Sequence, residues 1–293
     1  MAEFAGVFSA PVLQVAPCGL LSVATVVEYN GDANSERWIR GFSTMTNASP
    51  TVRILSRDND VVTNGEIFDG SAVPAYYSTV PFFIEVESKN TAKNLISNDP
   101  REFLKDQIEA ATQKAAEYEL WEGVAAQALA VPASGYLIES GGATAVTTSG
   151  VAPEKALYLI EQGISTSPTG GRGVIHMTRD VASALGSRLQ YEAKSRDDKK
   201  AYARTRLGTL VVIGSGYTGN GPIGATGRAA SGTNKWMFAT GGIEVLTGES
   251  EIVNDSLAQG FTPSTNDSIV TILRPAAVHF DPSLWLTAQV TLS

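Results

Sequence analysis

The chain has 293 residues, with 30 acidic and 22 basic side chains, a net charge of −8 and only 18% charged residues. That balance disfavours binding nucleic acid through a general basic surface, which needs clustered Lys and Arg, and 43% hydrophobic residues argue against a disordered chain. One cysteine, Cys18, excludes an intrachain disulfide and a cysteine-based metal cluster, and the two histidines, His176 and His279, sit in no HExxH pattern.

Residues 4–27 carry no charge. Pro11, Pro17, Ser9 and Gln14 interrupt any membrane helix there, and Glu3 is the only early charge where a signal peptide would be basic. The expectation is a neutral arm lying against protein, with Trp38, Ile39 and Phe42 as a small apolar anchor. Val52, Ile54 and Leu55 suggest a strand, Asp58-Asn59-Asp60 a turn, and Asn64-Gly65 a second turn, because both residues tolerate positive φ. Pro81 to Ser88 alternates, with Phe82, Ile84 and Val86 opposite Phe83, Glu85 and Glu87, as a half-buried strand does. Residues 51–88 therefore read as a long two-stranded excursion with an acidic tip.

The period then changes. Asp99 is a good N-cap, Pro100 suits the first helical position and Glu102 follows three residues after the cap. Leu104, Ile108, Ala111, Ala115 and Tyr118, continued by Trp121, Val124, Ala125 and Leu129, predict one helix over 100–130, with Gly123 as an imperfection. Glu117, Glu119 and Glu122 read as its solvated face. A Gly/Ser/Thr-rich loop spans 133–152. A second helix is expected over Pro153–Ile164, a strand over Val174–Met177, a third helix from Arg179 to about Lys194, and a buried strand over Thr209–Ile213. After the glycine-rich stretch 214–233, two strands turn at Gly241-Gly242 within 235–247. Asp267–Thr271 and Leu284–Leu292 are the last strands.

Gly214-Ser-Gly216-Tyr-Thr-Gly219 matches GxGxxG after a strand. A dinucleotide site needs a helix to open there, and Asn220-Gly221-Pro222 forbids one, so a surface loop is expected. Lys194, Arg196, Lys199, Lys200, Arg204 and Arg206 form a basic segment interrupted by Asp197 and Asp198, which reads as a solvated run or a subunit contact. Asp58, Asp60, Glu66 and Asp69 fail calcium-loop spacing. His176 and His279 read as core or edge residues. No catalytic constellation, cofactor site or metal site remains.

The order of arm, two-stranded excursion, solitary long helix, α/β region and terminal strands resembles the major capsid protein of tailed bacteriophages, the Hong Kong 97-type fold of the α+β class. Three stretches carry the resemblance. They are Pro81-Phe-Phe-Ile-Glu-Val-Glu leading to a helix ending Glu119-Leu-Trp-Glu-Gly123; Gly170-Gly-Arg-Gly-Val-Ile-His-Met-Thr-Arg179; and Leu210-Val-Val-Ile-Gly-Ser-Gly-Tyr-Thr-Gly-Asn-Gly-Pro222 followed by Trp236-Met-Phe-Ala-Thr-Gly-Gly-Ile-Glu-Val245. Together they are most similar to capsid proteins of phages of actinobacteria.

The resemblance implies an N-terminal arm over 1–48, an E-loop over 49–82, a peripheral domain over 83–134 and 266–293 with a spine helix at 100–130, and an axial domain over 135–265. It implies a structural protein, not an enzyme. As hexamers and pentamers, the protein would build an icosahedral shell around double-stranded DNA, assembled in the host bacterial cytoplasm and located in the virion capsid. The partners implied are further copies of the chain, then scaffolding, portal and decoration proteins, and packaged DNA bound without sequence specificity; no membrane and no cofactor is expected. Inter-subunit contact is expected of Arg57, Asp58, Asp60, Asn64, Asp69, Trp38, Lys199 and Lys200. Some relatives carry a scaffolding segment before the arm; none is expected here, so scaffolding would be a separate protein or unnecessary. Lys89 and Lys93 are the only lysines near the E-loop, so no covalent crosslink is expected. An encapsulin-like compartment shell is the near alternative, and an oxidoreductase using Gly214–Gly219 the distant one.

Overall fold

The structure, a computed structural model, describes residues 15–29, 35–45, 52–55, 61–68, 76–91, 100–131, 135–167, 173–192, 201–255 and 267–292. In chain order, one helical turn α1 (Leu20–Val23) leads to β1 (Thr25–Tyr29). A 3₁₀ segment (Ser35–Arg40) then leads to β2 (Phe42–Met45), β3 (Val52–Leu55), β4 (Val61–Phe68), β5 (Tyr76–Thr79) and β6 (Phe82–Thr91). The long helix α2 (Pro100–Glu122) is followed by α3 (Val124–Ala128), β7 (Thr144–Ala145), α4 (Pro153–Thr166), β8 (Val174–Thr178) and α5 (Arg179–Leu185). The remaining strands are β9 (Leu189–Glu192), β10 (Tyr202–Thr205), β11 (Leu210–Gly214), β12 (Asn234–Thr240), β13 (Ile243–Gly248), β14 (Glu251–Asp255), β15 (Asp267–Phe280) and β16 (Trp285–Thr291).

Two sheets organise these elements. One is centred on β15, whose one edge pairs with β6 from Asp267↔Thr91 to Ala276↔Phe82. The other edge is shared by β13 and β14, and β1 adds to β13 in parallel. The second sheet runs β7-β16-β12-β8-β11-β10-β9. It packs α4 and α5 through Ala156, Ile160, Ile164, Val181, Ala182 and Leu185 onto Ile175, Met177 and Ala288. All five residues of β8 are buried, as expected for a strand covered on both faces.

Between these two sheets the chain crosses three times, through α2 between β6 and β7, after β12 and after β15, and the last two switch points are bonded to each other. The Gly241 N–H donates to the carbonyls of Asp281 (3.0 Å) and Leu284 (3.1 Å), and Asp281 N–H donates to the Gly242 carbonyl (2.8 Å). A Cβ on Gly241 would stand 2.7 Å from Asp281 Cβ, so this close crossing requires glycine. β12 and β13 are thus the two expected strands turning at Gly241-Gly242, but in different sheets. The crossings also cut through the expected segments: β13 and β14 join β6 and β15, while β16 joins β12 and β7.

α2 ties the sheets together. Its first half buries Leu104 and Ile108 against Ile84, Val270, Ile272 and Ala276 of β6 and β15. Its second half buries Ala116, Leu120 and Trp121 among Val212, Trp236, Phe238 and Val278, where both sheets contribute. Arg101 reaches Asp255 of β14 at 2.6 Å and Glu109 reaches Arg274 of β15 at 2.5 Å, fixing the helix along the β15 sheet.

The helix is shorter than its period implied. It ends at Glu122, and Gly123 adopts φ 63°, the left-handed region. The apolar repeat continues through the break, but Tyr118, Val124 and Leu129 are exposed. A Cβ at Gly123 would lie 2.2 Å from the Tyr136 ring, and Glu119 bridges the break by accepting from the N–H groups of Ala125 (3.0 Å) and Ala126 (3.4 Å). Gly123→Ala is expected to cost about 2–4 kcal/mol, from φ strain and overpacking together, read as a lower denaturation midpoint at unchanged slope.

Two further boundaries move. The third helix stops at Leu185, where Gly186 has φ 48°, and the chain passes into β9 instead of continuing to Lys194. Asn64-Gly65 lies inside β4 rather than at a turn. Between the pairs Arg53↔Glu66 and Leu55↔Val61, the four residues 62–65 stand opposite Ile54 alone, so the glycine lies in a bulge-like break of register. The expected Asn-Gly turn is absorbed by this irregularity; the Asp58-Asn59-Asp60 turn and the Asp99 cap lie outside the described residues.

The β6 alternation holds: Ile84 is buried and Val86 half-buried, while Phe83, Glu85 and Glu87 face outward.

Candidate functional site

The first feature is a buried carboxylate on α2. Glu117 is fully buried, not on a solvated face. Its Oε1 accepts from the Leu20 N–H at 3.0 Å. Its Oε2 accepts from the N–H groups of Ser215 and Gly216, both at 2.7 Å, and from Ser215 Oγ at 3.1 Å. Burial raises its pKa above the ordinary carboxylate value, and the donors from Leu20, Gly216 and Ser215 oppose that rise.

The GxGxxG stretch is therefore a nest for the chain's own carboxylate. A Cβ on Gly216 would stand 2.3 Å from the Lys114 carbonyl, and one on Gly214 2.5 Å from the Tyr217 ring, so both glycines serve close packing on α2. No helix follows. The next residues stay pinned to α2: Trp121 Nε1 donates to the Asn220 carbonyl (3.0 Å), and Glu122 accepts from the Thr218 hydroxyl and from Asn220 Nδ2 (2.9 Å). The two N–H groups that would approach a pyrophosphate are occupied, and the expected surface loop is buried over residues 216–217 and 219.

The same clamp takes hold of the N-terminal segment. Gln113 Nε2 donates to the Ala16 carbonyl (3.1 Å), Cys18 N–H donates to the Ala201 carbonyl (2.9 Å), and Ile213 N–H donates to the Cys18 carbonyl (2.8 Å). Cys18, Leu20 and Trp38 are buried, and β1 completes the β15 sheet. Within the described part of the uncharged run, Cys18 and Leu20 are thus built into their own subunit's core. Burial pushes the Cys18 thiol up, as for an unreactive core cysteine.

Beneath the nest, a line of buried hydrogen bonds joins three elements. His176 of β8 meets Tyr217 Oη through Nδ1 and Thr240 Oγ1 through Nε2, each at 2.8 Å, and Thr240 Oγ1 donates to the Gly241 carbonyl at 3.1 Å. With the Thr240 hydrogen committed there, Nε2–H donates to Thr240 and the Tyr217 hydroxyl donates to Nδ1. Burial lowers the His176 pKa to about 3 and raises Tyr217 well above its ordinary value. His176 is neutral when folded and takes up a proton below about 6.5 when unfolded. The unfolded state thus binds more protons between pH 6.5 and 3, and stability falls as pH drops through that window. Burial also raises Glu139 to about 7, which works in the opposite sense between pH 7 and 4.5. The expected result is that the stability advantage of wild type over His176→Asn shrinks by up to about 1.4 kcal/mol per unit of acidification below pH 6.5, measured by urea titrations at stepped pH.

The second feature is the paired excursion. β2 and β5 form one two-stranded ladder, from Phe42↔Thr79 to Met45↔Tyr76, and β3 and β4 form another. Among the described strands neither ladder pairs with anything else. The pairing starts at Phe42, earlier in the chain than the expected start of the excursion. Two-stranded ribbons are marginal alone; the first ladder rests on its own subunit, with Phe42 edge-on to His279 and Tyr77 edge-on to Trp285.

The expected contact residues are placed unevenly. Trp38 is buried beneath Leu246 and Ala277, stacking near Tyr29 at 5.7 Å, so it is a core anchor and not free for another chain. Asn64 falls in the β4 bulge. Arg57, Asp58, Asp60, Asp69, Lys199 and Lys200 lie outside the described residues. His176 and His279 hold inward or edge positions as expected, the latter with Nε2 2.9 Å from Glu244 across the β13–β15 pair. Sequence reasoning missed Glu117, Gln113 and Trp121 as a clamp. Available signals were Gly19 and Gly216, each lacking room for a side chain beside Glu117. Among the described residues no cluster of His, Cys, Asp or Glu could hold a metal ion, and no helix is long and apolar enough to cross a membrane.

No family model matches this sequence, and no curated protein does. Solved structures do. The capsid of an empty GTA particle is 12% identical and aligns with 99% of this chain and 96% of its own at a TM-score of 0.56. A chain of Gordonia phage Cozz is 10% identical over 100% and 91%, TM-score 0.51, and the capsid of Ralstonia phage GP4 is 8% identical over 100% and 95%, TM-score 0.50. At these identities the likeness is one of fold: the chain has the Hong Kong 97-type capsid fold.

Proposed function

We propose that this chain is a major capsid protein that assembles as hexamers and pentamers into an icosahedral shell around double-stranded DNA. The observation that carries the reading is the end-to-end likeness to capsid chains, which takes in both sheets, α2 and the excursion together. In this reading the β15 sheet is the peripheral part, the sheet with α4 and α5 is the axial part, α2 is the spine joining them, and the β2–β5 excursion is the E-loop that lies over another copy. The low charge supports it too, since interface cores are depleted of charged residues. The acidic balance suits a shell that must not hold its DNA tightly. Scaffolding, portal and decoration proteins are the further partners this role would call on, and the virion capsid, assembled in the host bacterial cytoplasm, is its place.

Purified particles treated with nuclease and then opened test the content. Long protected double-stranded DNA is expected from particles made during infection. Particles holding a protein cargo and no DNA would overturn the genome-shell reading in favour of a compartment shell. Denaturing gels are expected to show single subunits; ladders of linked subunits would contradict the absence of a crosslink.

A further inference from the structure

The face of the β15 sheet turned away from α2 carries a hollow of about 260 Å³ between β6, β14, β15 and the 3₁₀ segment. Ile84, Ile272 and Ala276 pack toward α2, so the alternate residues Phe83, Leu273 and Pro275 line the other face, with Ile39 and Val253 beside them. Phe83 is 62% exposed and Val253 53%. Glu249 and Glu251 belong to the same lining, and the register sets Glu85, Leu273 and Glu251 in one row across three strands. Two strand spacings put Glu85 and Glu251 about 10 Å apart. None of these three acids has an ion-pair partner among the described residues. The hollow is thus apolar inside and negative at its edge, which suits an apolar side chain next to a base.

The chain presents that combination elsewhere. Thr205-Arg206-Leu207-Gly208 is the tight turn between β10 and β11, closed by the Gly208 N–H donating to the Thr205 carbonyl (3.0 Å), with Gly208 at φ 93°. Leu207 at its tip is 80% exposed, more than any other large apolar residue described, and alone among the exposed ones it has a basic neighbour in sequence. Arg206 Nε donates to the Ser187 carbonyl at 3.3 Å, and no carboxylate among the described residues pairs with Arg206. We propose that the Arg206-Leu207 turn of a second copy seats in this hollow, with Leu207 against Phe83, Leu273 and Val253 and with Arg206 at the carboxylates of Glu249 and Glu251. The inference rests on the assembly of copies proposed above. Turn and hollow are different surfaces of the chain, so the contact runs head to tail, and each copy gives one and receives one. The inserted leucine is the anchor, and the opposite charges choose the partner surface and its register.

The test is sedimentation velocity and electron microscopy of the full chain with its charges exchanged. Glu251→Arg and Arg206→Glu are each expected to weaken association, and the two together in one chain to restore it, because the pair is again opposite in sign. Leu207→Ser is expected to raise the concentration for half-association roughly tenfold, as loss of an interface anchor does. Failure of the double variant to recover, or association unchanged by Leu207→Ser, would overturn the proposal. A second measurement alters no charge. Chains carrying Leu207→Cys are mixed with chains carrying Val253→Cys under mild oxidation, both in a Cys18→Ser background. A disulfide joining position 207 of one chain to position 253 of another is expected in the peptide map, and its absence would overturn the contact. A parent chain that forms shells while every variant does so equally well would overturn this contact and leave the capsid reading standing, whereas a parent chain that never associates would overturn both.

Discussion

Replacing Glu117 with Leu is expected to lower the unfolding free energy by about 3–5 kcal/mol. Three backbone N–H groups, from Leu20, Ser215 and Gly216, lose their only named acceptor, and those of Leu20 and Gly216 remain buried against α2. Each orphaned donor costs about 1–3 kcal/mol, and the apolar replacement cannot recover that. Glu117→Gln is expected to cost less, because one oxygen survives, yet its NH2 faces donors on one side. The effect should also be local in a particular way. Limited proteolysis of Glu117→Leu is expected to open the chain first near residues 15–24 and 214–222, the two segments the carboxylate joins. A variant as stable as wild type in urea would show that the nest contributes nothing and that the glycine spacing has another cause.

The second large effect concerns assembly rather than stability. Met45 and Tyr76 are cross-strand partners at the outer end of the first ladder. Residues 46–75 can therefore be replaced by Asn-Gly, which closes a two-residue hairpin. The shortened chain is expected to fold, with a melting temperature within a few degrees of the parent, because both sheets, α2 and the clamp keep their contacts. It is expected to form no closed shells, because the removed ladder is the surface proposed to lie over another copy. Shells of normal appearance from this variant would remove the excursion from the assembly mechanism. Failure to fold would instead mean that the ladder supports its own subunit, and a circular dichroism melt separates these outcomes.

Part of this architecture was legible before any coordinates. The β6 alternation, the Pro100 helix start and the wholly buried β8 are local patterns, and each is set by the residues' own periodicity against one surface. The breaks were less legible because their causes lie elsewhere in the chain. Gly123 ends α2 where Tyr136 fills the space a side chain would need, although the apolar repeat runs on past it. Gly186 ends α5 within a stretch whose composition would have allowed more helix. Glu117 read as a surface acid because its donors come from 97 to 99 residues away, and no helical spacing announces them. The lack of a helix after Gly219 in the glycine-rich loop was legible in Asn220-Gly221-Pro222. What the loop does could be read only once α2 stood beside it. Trp38 likewise read as a contact residue, and its burial beneath β13 and β15 depends on a sheet whose strands are more than two hundred residues further along.

The most direct test of the capsid reading is an electron micrograph of the expressed full-length chain, alone and with lysate of an infected host. Closed shells, tubes or ring-shaped capsomers built from this chain are the predicted result. A uniform population of small monomers under every condition would contradict it.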